Sequence, residues 1–105
     1  MVDNYNGIPN GYEDIDVDST VKKVDLADLG GTDVTGRRIW LRALTADITY
    51  LRGDHTDPGI AVGEGLVLAS GTQTDPYYVD PAGETELTVI AGADDKVLRV
   101  FYMSG

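Results

Sequence analysis

The chain contains no cysteine, which excludes a disulfide framework and any thiolate metal site. Basic residues are scarce. Eight Lys and Arg stand against 18 Asp and Glu, for a formal net charge of −10. That balance argues against nucleic acid as a partner, since binding requires cations to neutralise phosphates, and equally against an anionic membrane surface. No apolar run approaches the roughly 18 residues of a membrane span. The opening MVDNYNGIPNGYED lacks the basic-then-apolar order of a signal peptide, so synthesis in a cytoplasm is expected. There is one histidine, and no serine lies in a G-x-S-x-G turn or GxxxxGK[ST] loop. No window sustains apolar residues at i, i+3 and i+4 for three turns, and there is no internal repeat.

What is present reads as strands. Hydrophobic content is 42% and charged content 25% over 105 residues, the composition and size of one globular domain with a modest core. Short β-branched or aromatic runs recur, each bounded by Gly, Pro, Asp or Thr. They are Ser19–Leu26, Arg37–Leu44, Asp47–Arg52, Ile60–Val62, Leu66–Ala69, Tyr77–Asp80, Glu86–Ala91 and Lys96–Met103. One helical turn is expected at Asp25–Leu29. The pattern predicts an all-β domain: a single antiparallel β-sandwich, jelly-roll-like, of about 7–8 short strands over residues 19–105. Residues 1–18 carry five acids, no Lys or Arg, and two Asn-Gly pairs around Pro9. They read as an acidic, extended N-terminal arm, with Tyr5, Ile8, Tyr12 and Ile15 as anchors on a neighbour.

Period two assigns faces to the two strongest strands. In RRIWLRAL, residues 37–44, Ile39, Leu41 and Ala43 share one side, and Arg38, Trp40, Arg42 and Leu44 the other. In the last strand Leu98, Val100 and Tyr102 oppose Val97, Arg99, Phe101 and Met103. Each strand thus has an apolar face for the core and a face that mixes Arg with a large aromatic. Trp, Tyr and Arg are the residue types enriched at interface hot spots. The Arg38–Trp40–Arg42 stripe, with Arg99 and Phe101, is therefore the candidate protein interface, its guanidiniums suited to a partner's carboxylates.

The alternatives carry weaker patterns. His55, in GDHTDPG, has no nucleophile motif beside it and reads as a solvated loop residue. Asp14-Ile15-Asp16-Val17-Asp18-Ser19 has the alternating acids of half a calcium loop. However, Ser19 and Asp25 stand where an EF-hand needs Gly and Glu, so the segment reads better as an acidic sheet edge. No metal or other cofactor, and no enzymatic activity, is expected.

From IWLRAL through ITYLRG, GIAVGEGLVL and PYYVDP to ELTVIAGADDKVLRVFYM, the order of strands and turns resembles small tailed-phage capsid decoration (cement) proteins of β-sandwich or jelly-roll type. The resemblance spans about two-thirds of the chain and leaves out the arm. It implies a structural virion protein on the capsid exterior, bound to the major capsid protein and to copies of itself, a trimer favoured over a dimer. The alternative is a carbohydrate-binding or receptor-binding β-sandwich module of a phage appendage, with Trp40, Tyr50, Tyr77 and Tyr78 stacking on sugar rings.

Overall fold

The computed structural model describes residues 9–103. Among these, eight strands form: β1 (Gly11–Val17), β2 (Lys22–Asp25), β3 (Arg38–Ala43), β4 (Ile48–Arg52), β5 (Leu66–Leu68), β6 (Tyr77–Tyr78), β7 (Glu86–Ala91) and β8 (Lys96–Tyr102). Sheet I has the order β1-β8-β3-β6 and sheet II the order β2-β7-β4-β5. Strand β1 pairs with β8, β2 with β7, β3 with β6 and β4 with β5, all antiparallel. That nesting describes one long antiparallel ribbon. The further pairs β3–β8 and β4–β7 arise when the ribbon wraps on itself, which is the jelly-roll arrangement. The expected all-β sandwich is what the chain forms.

Alternation fills the space between the sheets. Ile39, Leu41 and Ala43 of β3 are fully buried, as are Leu98 and Val100 of β8. Val17, Val24, Ile48, Leu87, Val89 and Ala91 join them from the other strands. The β2–β3 connection adds Leu26, Leu29 and Val34 to the same core. Its first turn is a short 3-10 segment, Leu26–Asp28, capped by the Asp25 carboxylate, which accepts a hydrogen bond from the Ala27 amide at 3.0 Å. Gly30 and Gly31 then take positive φ angles of 59° and 90°, which close the tight turn bridging Leu29 to Thr32.

Two features differ from the sequence-based expectation. The described part of the 1–18 arm is extended, but Gly11–Val17 is not free of the sandwich. It is the edge strand of sheet I, in register with β8 from Gly11↔Tyr102 to Val17↔Lys96. The physical reason lies in its own alternation: Tyr12, Asp14 and Asp16 are exposed, while Ile15 packs against the core and Val17 is buried within it. Tyr5 and Ile8 lie outside the described residues. The second difference is Ile60–Val62, which is not a strand. Gly59 and Gly63 flank it at φ angles of 97° and 86° and break the extended run.

That segment belongs to a long connection, residues 53–65, which folds back over the outer face of sheet II. Two threonines on that face hold it. Thr88 of β7, fully buried, donates from its hydroxyl to the Gly53 carbonyl at 2.8 Å and accepts from the His55 amide at 2.7 Å. Thr49 of β4, 2% exposed, accepts from the Gly63 amide at 3.0 Å. Polar side chains on an outward face are thereby buried with their hydrogen bonds satisfied.

Candidate interaction surface

The composition of the outer face of sheet I follows from the register. One cross-strand row is Tyr12, Phe101 and Trp40. The adjacent row is Asp14, Arg99 and Arg42. Arg38 and Tyr78 are paired in a third. Strand alternation thus brings Arg38, Trp40, Arg42, Arg99, Phe101 and Tyr12 to one face, as the sequence pattern predicts for the first five. Tyr12 joins them through the sheet rather than through a free arm.

The charged row is asymmetric. Arg99 binds Asp14 through two parallel hydrogen bonds, Nε to Oδ1 at 2.7 Å and a terminal nitrogen to Oδ2 at 3.0 Å. This bidentate geometry is the strong form of the pair. Hydrogen bonding from Arg99 holds the Asp14 carboxyl below its usual range, against a smaller opposing effect of burial. The same guanidinium lies 4.3 Å from the Tyr12 ring centroid and 5.9 Å from that of Phe101, within cation–π range. Tyr12 and Phe101 themselves pack at 6.2 Å with a 58° tilt. Arg42 sits directly across from Arg99, an unfavourable like-charge pairing. The Arg42 side chain makes no hydrogen bond or ion pair with the described residues. It is a half-buried cation in a strongly acidic protein.

Trp40 differs from the stripe expected of it. It points outward yet is only 3% exposed, so it underlies the face instead of being offered to a partner. Tyr12 at 54% and Tyr78 at 52% are the aromatics that reach solvent there. The sugar-stacking set does not converge either. Tyr50 and Tyr77 pack against the core, which leaves Tyr78 as the exposed member. The Tyr77 hydroxyl is buried without a partner among the described residues, and the Arg52 guanidinium lies 3.9 Å from its ring centroid.

The acidic segment is likewise committed locally. Asp14 is taken by Arg99, and Asp18 accepts from the Asp95 amide at 3.1 Å. The shallow groove of about 310 Å³ beside Asp14, Asp16, Asp25 and Asp28 is also walled by Lys22 and Lys23, of which Lys22 donates to the Asp16 backbone carbonyl at 2.8 Å and Lys23 pairs with Asp54 at 3.7 Å. His55 is an exposed loop residue whose Nε2 is 2.8 Å from the Arg52 carbonyl oxygen.

A second surface was not anticipated from sequence. Where the 53–65 connection ends, a groove of about 370 Å³ opens on sheet II, lined in part by Thr49, Val62, Val67 and Gly92, with Asp47 and Lys96 also in its wall. Val62, Leu66 and Val67 are 57%, 59% and 56% exposed. The run LVL marks a strand, but nothing in the sequence marks β5 as an edge.

No family model, curated protein or solved structure matches the chain.

Proposed function

We propose that this chain is a structural, non-enzymatic virion protein. In this reading it is a capsid decoration subunit that binds the exterior of a phage head and bridges major capsid protein subunits. The observation that carries the reading is the difference between the two outer faces of the jelly roll. Much of sheet II is sealed by the chain's own 53–65 connection. Sheet I carries exposed Tyr12 and Tyr78, and on the same face Arg42, a cation without a carboxylate among the described residues. A half-buried guanidinium without a carboxylate of its own fits a protein carboxylate. Jelly rolls are recurrent building blocks of viral capsids, and their lectin use is disfavoured here by the inward Tyr50 and Tyr77 and the covered Trp40. On a shell, many equivalent weak contacts add up to firm retention.

The test is to purify particles of the phage that encodes the chain, with and without its gene. The reading expects the chain in wild-type heads by mass spectrometry, and gene-deleted heads that open at lower temperature. Absence of the chain from mature particles overturns the reading.

A further inference from the structure

We infer that copies of this chain associate head to tail: the outer face of sheet I on one copy meets the β5 ridge of the next. Every large hydrophobic residue that is prominently exposed among the described residues falls in one of these two places. Tyr12 and Tyr78 lie on sheet I, and Val62, Leu66 and Val67 on or beside β5. The charges complement one another. On sheet I, Arg99 is paired with Asp14 while Arg42 has no carboxylate among the described residues. Around the ridge, the exposed Asp47 and Glu64 outnumber Lys96. Asp47 and Glu64 each use one carboxylate oxygen on a local amide, those of Ser70 and Ala61. Each retains an oxygen for a guanidinium such as Arg42.

Self-pairing of either patch about a two-fold axis is disfavoured by the same charges. It would set the positive face against itself, or the acidic ridge against itself. Two different, mutually complementary patches define a heterologous contact, which generates rings larger than a dimer or open chains. The inference gives a structural reason for assembly beyond a dimer. It does not depend on binding to a shell.

The experiment is sedimentation analysis of the full chain and two variants, Arg42→Glu and Val67→Glu, with circular dichroism to confirm folding. Arg42→Gln and Val62→Asp serve as substitutes if either variant is unfolded. Wild type is expected to form an assembly larger than a dimer, and each variant alone to be monomeric. An equimolar mixture of the two variants is expected to form 1:1 heterodimers and stop there, because one intact patch survives on each partner. A monomeric or dimeric wild type overturns the inference, as does a mixture that stays monomeric or a variant that assembles alone. Failure here leaves the presence of the chain in virions to its own measurement.

Discussion

Tyr77 offers the sharpest quantitative test of the fold. Its hydroxyl is buried with no hydrogen-bond partner among the described residues, and the Arg52 guanidinium covers the ring at 3.9 Å. A buried, unsatisfied donor costs about 1–3 kcal/mol, whereas removing it without disturbing shape is nearly neutral or favourable. Tyr77→Phe keeps the ring, the cation–π contact and most of the volume. The variant is therefore expected to be between equal in stability and about 2 kcal/mol more stable than wild type. At roughly 4–8 °C per kcal/mol for a domain of this size, Tm rises by up to about 15 °C. Urea and thermal melts followed by circular dichroism measure this directly. A loss of more than about 1 kcal/mol refutes the reasoning, because it would mean that the hydroxyl is held by a hydrogen bond to bound water.

The same group predicts alkaline behaviour. Burial, the largest cause, pushes the Tyr77 pKa up to about 12, with Arg52 opposing and Tyr50 reinforcing the shift. An unfolded tyrosine titrates near 10. The protonated form thus prefers the folded state. Its stabilising contribution is complete below about pH 10, falls as pH rises toward about 12, and is level beyond. Tyr77→Phe removes that part of the slope. Absorbance titration of tyrosinate in the folded protein should lose its latest step in the variant, while Tyr50, whose pKa burial also raises, still titrates above an exposed tyrosine. A variant with an unchanged late step would refute the assignment.

Further outcomes follow from the same geometry. Thr88→Val leaves the Gly53 carbonyl and His55 amide without their partner, so it is expected to cost about 1–3 kcal/mol and to speed proteolysis between residues 54 and 60; unchanged cleavage would count against the pinned connection. Gly65→Ala places a Cβ 2.8 Å from the Tyr50 carbonyl oxygen, so urea melts should show a loss of about 1–3 kcal/mol. The Asp14 pKa is lowered chiefly by the Arg99 hydrogen bond, so its contribution is present above the unfolded carboxylate pKa and lost as pH falls through the folded one. Asp14→Asn should flatten that part of the acid limb in melts recorded across pH. Trp40, 3% exposed, should emit at short wavelength and resist acrylamide quenching; ready quenching would place it at the surface.

The sandwich was legible where one side of a strand is wholly apolar. Period two alone turns Ile39, Leu41 and Ala43 inward, and they are fully buried. Strand β1 was harder, because its inward positions are Gly11, Glu13, Ile15 and Val17, half of them not apolar, and two Asn-Gly pairs precede it. Its acids did mark it as a sheet edge, yet only pairing with β8 shows that it belongs to the sandwich. Trp40 shows what alternation cannot say: it gives the direction of a side chain, not what lies over it. Thr49 and Thr88 illustrate the same limit. Both sit at outward positions, and only the return of residues 53–65 across sheet II buries them.

The edges explain why an open sandwich of this kind needs its charge distribution. A two-sheet jelly roll leaves four edge strands, here β1, β6, β2 and β5. Strand β1 presents Asp14 and Asp16, and β2 presents Lys22 and Lys23, all exposed, which blunts pairing with a stray strand. Strand β6 is two residues long, and residues 72–74 continue the contact with β3 through Ala43 and Leu41 backbone bonds. Strand β5 is the exception. Its three residues are all apolar, and two are more than half exposed. Brevity is one protection, and like-charge repulsion between chains of net charge −10 is another. Both protections are weakest against a surface of opposite sign. Among the described residues the outer face of sheet I offers Arg42, a guanidinium without a carboxylate, so the acidity that keeps β5 from indiscriminate pairing also selects what can approach it.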